Sequence, residues 1–298
     1  MTEPSELNPK TATVRQLCIA FLRYQSGLVE AGARDALNPR TLDNYRQSLE
    51  NRMIPEFGEM KLKQFKSTHA AQYLFKGRET RSVAANRDFA ALMAAFNHGM
   101  ALGLVESNPC RGVRRNREHP RKRPVSIAEV NSLMQVAEEM GGGYLMVALI
   151  GLMVALTGRR RGEILELQAE NLTAEGILAA DHKTARHGER HYLIEWSPLL
   201  REMVERSKKL RPEQSAEGWL FPSRFGRPYT DSGFKSNWNR LIRVYEKKHG
   251  ERFRAHDLRS LYVSEMLERG ESPNTHSNEA TMRKVYDRRK VIKVTPLA

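Results

Sequence analysis

Four widely separated pieces of this chain carry side chains suited to phosphate chemistry. The first is Thr157-Gly158-Arg159-Arg160-Arg161-Gly162-Glu163, which follows the apolar run Tyr144–Leu156 and opens onto Ile164-Leu165-x-Leu167. The pattern predicts a buried helix that ends at Gly158, then a second helix with arginines in its first turn. A helix N-terminus disfavours cations, so arginines there call for an anion to offset the cost. The other pieces are Lys183, the group His256-Asp257-Leu258-Arg259, and Tyr286. Each has an ordinary explanation when taken alone: a solvated basic turn, a surface lysine, a helix-start capping residue, a packed aromatic. Together, and in this order, they are the groups needed to cut and rejoin a phosphodiester through a tyrosine.

The composition agrees with a polyanionic partner. Lys and Arg number 49 against 35 Asp and Glu, a net charge of +14 over 298 residues. Such an excess favours nucleic acid first and a membrane surface second. No apolar run reaches the ~18 residues of a membrane span. Met1–Lys10 carries Glu3, Glu6 and two prolines, which is wrong for a signal peptide. Cys18 and Cys110 lack ligand spacing and read as reduced packing residues of a cytosolic protein. No Cys/His cluster suggests a metal and no Gly-rich loop suggests ATP, so no cofactor is expected.

The elements that must position these groups follow from periodicity and capping signals. Residues 1–11 read as a tail. Residues 12–110 read as a helical domain: a helix from Thr13 to about Val29, a second opened by Asn38-Pro39 and stopped before Pro55, a third from Ser67, and a fourth from about Thr80 to Leu102. Residues 111–124 read as a basic linker, with Arg111, Arg114, Arg115, Arg117, Arg121, Lys122 and Arg123 placed to track DNA phosphates. From 125 to 298 the pattern gives a capping box at Ser126-x-x-Glu129, a break at Gly141–Gly143, the buried helix and the arginine turn. Strands at Gly176–Ala180 and Arg190–Trp196 then flank a hairpin loop that holds Lys183. Helices from Ser197-Pro198 to Lys209, from Thr230 to Lys248 and from Arg259 to Arg269 come next, and a last one carries Met282 and Tyr286. The expected fold is mainly α with a small antiparallel sheet, in two domains.

The second domain resembles the catalytic domain of the tyrosine recombinases, the family of phage integrases and related site-specific recombinases. Thr157, Gly158, Arg160, Gly162 and Glu163 match the first signature, with Arg159 and Arg161 at variable positions. Lys183 matches the lysine of a β-hairpin loop, and His256, Leu258 and Arg259 match His-x-Leu-Arg. His276, ten residues before Tyr286, matches the third-box histidine, although the usual Leu-Gly before it is replaced by Asn274-Thr275 and the connection from Arg259 is short. The N-terminal half is similar to the family's core-binding domain in size, helix count and charge.

The resemblance implies cleavage of duplex DNA through a 3′-phosphotyrosine. Arginine stays ionised and offers a planar fork, so Arg160 and Arg259 would clamp the non-bridging oxygens, with His276 as a further donor. Tyr286 would be the nucleophile and His256 the nearest base. Lys183 would protonate the leaving 5′ oxygen, and Glu163 would orient an arginine. The bond energy is kept in the intermediate and the charge is met by arginine, so neither ATP nor metal is implied. The expected partner is double-stranded DNA bearing a specific attachment or recombination site. The protein would be a homotetramer on DNA and a monomer when free, cytoplasmic and nucleoid-associated, with no membrane contact. Two other functions share these features: a type IB topoisomerase-like relaxing enzyme, and a catalytically inactive DNA-binding protein on the same fold. No domain-sized segment precedes Thr13, so separate arm-type DNA sites are not expected. The short Glu271–Asn278 connection is expected to be mobile and to leave Tyr286 displaced from the arginines until DNA orders it.

Overall fold

The structure, a computed structural model, describes residues 7–119, 123–180, 191–212, 218–275, 282 and 285–287. The chain divides into two compact units, residues 1–119 and 120–298.

The first unit is helical. Helix α1 (Val14–Glu30) starts at Thr13, whose side chain caps it in a box with Gln16, and buries Val14, Leu17, Cys18, Phe21 and Leu22. Helix α2 (Pro39–Ser48) has Asn38 as N-cap and proline in its first turn. The chain does not stop before Pro55. A π-turn over Leu49–Met53 leads directly into a short helix α3 (Ile54–Phe57), so the proline enters at the start of a new helix, where it is tolerated. The two helices expected beyond residue 67 run end to end as α4 (Ser67–Ala101) and meet at a kink at Arg81, whose φ of −149° and ψ of 39° are not helical. A buried carboxylate holds that bend. Asp88 accepts from Arg52 Nε, Tyr73 Oη and Arg81 Nη2, each at 2.7 Å. Leu17, Leu49, Met53, Phe89, Leu92 and Phe96 form the core, with both cysteines buried and free. Burial pushes each thiol up to about 12.

The segment expected to be a linker is partly built into the units. Asn116 is buried; its N–H donates to Asn86 Oδ1 at 2.9 Å and its side chain to Leu74 O at 2.8 Å. That fixes residues on either side of it to α4, and the two units divide after His119.

In the second unit, α5 (Ile127–Met140) is capped by Ser126 and Glu129. Gly141 (φ 66°, ψ −175°) and Gly142 (φ 52°) both take positive φ, which ends α5 and lets α6 (Gly142–Thr157) start at once. Helix α6 is apolar all round and runs through the core, against α5, α8 (Pro198–Lys209), α9 (Asp231–His249) and α10 (Asp257–Glu268). The short helix α7 (Arg161–Leu165) follows it. Strands β1 (Gly176–Ala180) and β2 (His191–Glu195) pair antiparallel, Gly176 opposite Glu195 and Ala180 opposite His191. Residues 181–190 between them lie outside the described residues. No helix among the described residues is long and apolar enough to cross a membrane.

Candidate active site

Gly158 sets the geometry of the arginine turn. It ends α6 in the left-handed region, at φ 62° and ψ 10°. A Cβ there would fall 2.2 Å from Tyr262 Cδ1 on α10 and 2.9 Å from Thr275 Cγ2. Only glycine therefore lets α6 stop against α10 and turn sharply into α7. Thr157 Oγ1 braces the turn, donating to Met153 O at 2.7 Å and accepting from Arg159 N–H at 3.2 Å.

Arg160 stands at the N-cap of α7 rather than inside its first turn. Glu163, nearly buried, accepts from the Arg160 N–H at 2.9 Å and from its Nη1 at 2.6 Å. One carboxylate thus caps the helix and aims the guanidinium. The repulsion between the helix N-terminus and the arginines is offset by this acid within the protein. Arg161 pairs with Asp231 at the start of α9 and lies over the Phe234 ring, 4.8 Å from its centre.

His256 and Arg259 sit at the start of α10. His256 occupies the N-cap position but makes no side-chain cap. Its ring faces Tyr286, with centroids 5.4 Å apart at 66°. Arg259 is 1% exposed. Its Nη2 donates to Thr275 O at 2.6 Å, and its Cζ is 5.5 Å from the centre of the Tyr286 ring. Burial, then the charge of Arg160, pushes the Arg259 guanidinium down to about 10. Glu163 and Tyr286 act in the opposite direction. Burial and the charge of Arg160 thus act on Arg259 in the same direction, a cost that an oxyanion bound by both guanidiniums would relieve.

Tyr286 lies beside one of the two arginines, Arg259. It is half-buried beside His256 and Arg259, and its carbonyl accepts from Ser264 Oγ at 3.5 Å. The connection before it is anchored as far as it is described: Pro273 and Thr275 are buried, and two carbonyls are held by arginines. The expectation of a mobile connection rested on Pro273 and the lack of an apolar anchor; in the described part, the Asn274 and Thr275 carbonyls accept from Arg159 and Arg259. Lys183 and His276 lie outside the described residues, as do Arg121 and Lys122. Tyr262 packs against Gly158 and is half-buried, in keeping with a packing role.

Of the basic segment, Arg111, Arg114, Arg115 and Arg117 are exposed. Arg123 is not: its side chain is 12% exposed, pairs with Glu129 and Glu251, and lies over Phe253. The two carboxylates and the ring occupy the guanidinium that the sequence assigns to DNA, so Arg123 anchors the chain to its own unit.

Sequence reasoning missed Arg159, a variable position in the signature. It is 5% exposed and donates from Nη2 to Asn274 O at 2.8 Å. Nothing in composition or spacing signals a cation whose acceptors are main-chain oxygens. Among the described residues, no group of three or more His, Cys, Asp or Glu side chains is placed to hold a metal ion. A cavity of about 880 Å³ elsewhere in the unit is lined by Tyr144, Arg224, Phe225, Arg227 and Arg240 among others, and by none of the clustered residues above.

Comparison with known proteins gives a consistent result. The profile of the phage integrase family matches residues 125–286, and that of the phage integrase N-terminal SAM-like domain matches residues 31–76. No curated protein sequence matches the chain. Among solved structures, a lambda integrase tetramer bound to a Holliday junction superposes with a TM-score of 0.75 at 16% identity, over 96% of this chain and 81% of that one. A lambda integrase dimer bound to a COC′ core site gives 0.73 at 17% identity, over 94% and 98%. The Tn1549 transposon integrase in complex with circular intermediate DNA gives 0.69 at 20% identity, over 92% and 95%.

Proposed function

The chain belongs to the phage integrase family and is a site-specific DNA recombinase of the tyrosine type; from that premise we propose that Arg160, Lys183, His256, Arg259, His276 and Tyr286 form its catalytic set. The observation that carries this reading is the convergence of Arg259, His256 and Tyr286, with Arg160 close enough to push the Arg259 guanidinium down.

In the proposed mechanism the scissile phosphate takes its place between Arg160 and Arg259. Both stay charged at neutral pH and present N–H donors to the non-bridging oxygens, whose charge grows in the transition state. Removing one such donor typically costs ~100- to 1000-fold in rate. The Tyr286 oxygen attacks phosphorus, and its proton passes to His256 or to solvent. The bond to the 5′ oxygen breaks as Lys183 supplies that oxygen with a proton, leaving a 3′-phosphotyrosine. The reverse attack by a 5′ hydroxyl from a second duplex restores the phosphodiester, and no external energy is consumed. Glu163 keeps Arg160 aimed throughout. Arg111, Arg114, Arg115 and Arg117, exposed on the first unit, contact DNA phosphates together with Arg121 and Lys122.

The proposed assembly is a homotetramer on two DNA sites, formed from monomers, and the proposed setting is the nucleoid in the cytoplasm. A lambda relative at 16% identity is seen as a tetramer on a Holliday junction, which supports that reading by likeness of fold. The test is a plasmid carrying two copies of a candidate attachment site. Deletion of the intervening DNA, with sedimentation of a four-protomer complex on the joined sites, is expected. Relaxation of supercoils without a deletion product would contradict strand exchange.

A further inference from the structure

Arg159 precedes Arg160 at a position where the family signature accepts many residues. Its guanidinium is nonetheless buried among three segments. Nη2 donates to Asn274 O at 2.8 Å, Nε lies 3.4 Å from Thr157 O, and Cζ stands 3.8 Å above the centre of the Tyr192 ring on β2. These partners are two carbonyl oxygens and an aromatic face. Burying a long cation this way costs desolvation and side-chain entropy. A leucine or methionine would fill the same space without either cost, so packing alone does not account for the choice.

The second observation is the conformation of the segment that Arg159 holds. Asn274 has φ 44°, the one positive value among the described non-glycine residues. Asparagine enters that region with less strain than most side chains. As a result consecutive carbonyls serve different arginines: Asn274 O accepts from Arg159 at 2.8 Å and Thr275 O from Arg259 at 2.6 Å. The acceptors of Arg159 and Arg259 are therefore the carbonyls of adjacent residues. Arg159 is in turn bonded directly to Arg160.

We propose that Arg159 is a positioning residue for strand cleavage: it ties the turn that presents Arg160 to the Asn274–Thr275 strap that holds Arg259, and so sets the separation of the two arginines. The inference rests on the assignment of Arg160 and Arg259 to the scissile phosphate. Arg159 itself touches no reacting atom. Its effect is on the rate of the bound complex and not on DNA affinity, because the phosphates that supply affinity are met elsewhere.

The experiment uses the full chain with Arg159→Leu, Arg159→Lys, Asn274→Gly and the Arg159→Leu/Asn274→Gly pair. Duplex affinity, the rate of covalent adduct formation at saturating nicked duplex, and amide hydrogen exchange of residues 271–275 without DNA are read in parallel. Arg159→Leu is expected to slow adduct formation about 100-fold, the scale of a misplacement near 1 Å. DNA affinity stays within about threefold because the phosphate contacts are intact. Exchange in the strap rises in the same variant. Lysine keeps the charge and lacks the fork, so Arg159→Lys stays slow, and it carries the test where the leucine variant does not fold. The pair is no slower than Arg159→Leu alone, since both act on one link. Wild-type adduct rates in Arg159→Leu or Arg159→Lys, unchanged exchange in the strap, or multiplying defects in the pair would each overturn the inference. A wild-type chain that forms no adduct would instead overturn the catalytic assignment beneath it.

Discussion

Replacing Gly158 by alanine tests the wedge on which the arginine turn is built. Two costs add. An L-residue at φ 62° sits in the left-handed region, at ~1–2 kcal/mol. The new Cβ would overlap Tyr262 Cδ1 at 2.2 Å, and overpacking a filled site costs ~1–3 kcal/mol. The sum, about 2–5 kcal/mol, is a large share of a stability of ~5–15 kcal/mol. Urea unfolding at pH 7 measures it directly. Only the second cost depends on the tyrosine ring. In a Tyr262→Ala background the same Gly158→Ala change should therefore cost less, the backbone part of ~1–2 kcal/mol plus whatever the remaining 2.9 Å approach to Thr275 Cγ2 adds. The coupling between the two changes is then about 1–3 kcal/mol. A loss below ~0.5 kcal/mol, or the same loss in both backgrounds, would show that the turn is not seated against α10.

Three further outcomes follow from the same geometry. Glu163→Ala removes a side chain that is 4% exposed and both caps α7 and pairs with Arg160; the expected loss in urea unfolding is about 2–3 kcal/mol, below that of a fully buried pair because Arg160 reaches solvent, and Glu163→Gln, which keeps an acceptor for the Arg160 N–H, loses less. The Arg259 guanidinium is pushed down to about 10 from 12.5, so between those values the unfolded chain binds the extra proton and this group's contribution to stability rises with pH; at neutral pH its buried charge is a cost. Inorganic phosphate should therefore raise the melting temperature of the wild type below about pH 10 and lose that effect above it, and it should leave Arg259→Gln unmoved; an equal shift in both proteins would contradict a phosphate clamp. Duplex binding should weaken with salt, each neutralised phosphate adding ~0.9 to the log–log slope, and Arg114→Ala with Arg117→Ala should lower that slope where Arg123→Ala leaves it unchanged.

The elements whose ends carry capping chemistry were legible in the sequence. Thr13, Asn38-Pro39, Ser126 and Ser197-Pro198 each open a helix where their side chains accept from the first turn. The strand Gly176–Ala180 has the bounds its pattern suggests. What was not legible depends on partners distant in sequence. The break between helices near Arg81 shows in the pattern, but what holds it does not, because nothing local shows that Asp88 binds Arg52, Tyr73 and Arg81 at once. Pro55 reads as a stop because a π-turn leaves no periodic trace. At the candidate site, the order of Arg160, His256, Arg259 and Tyr286 points to one chemistry before any fold is known. The strap at Asn274–Thr275 does not, since its ligands are main-chain carbonyls available to any sequence. For that reason the short connection suggested a displaced Tyr286, whereas the structure holds that ring beside Arg259.

The assignment of Tyr286 as nucleophile is tested most directly by mapping the covalent link. A duplex with a candidate attachment site, nicked so that the cleaved fragment diffuses away, is incubated with the wild type and with Tyr286→Phe. The adduct is digested and the peptide bearing the nucleotide is sequenced by mass spectrometry. The predicted result is a 3′-phosphate on Tyr286 in the wild type, and no SDS-resistant adduct in Tyr286→Phe despite duplex affinity within a few fold of wild type, because most affinity comes from phosphate contacts. A link to any other residue, or an adduct that survives in Tyr286→Phe, would contradict it.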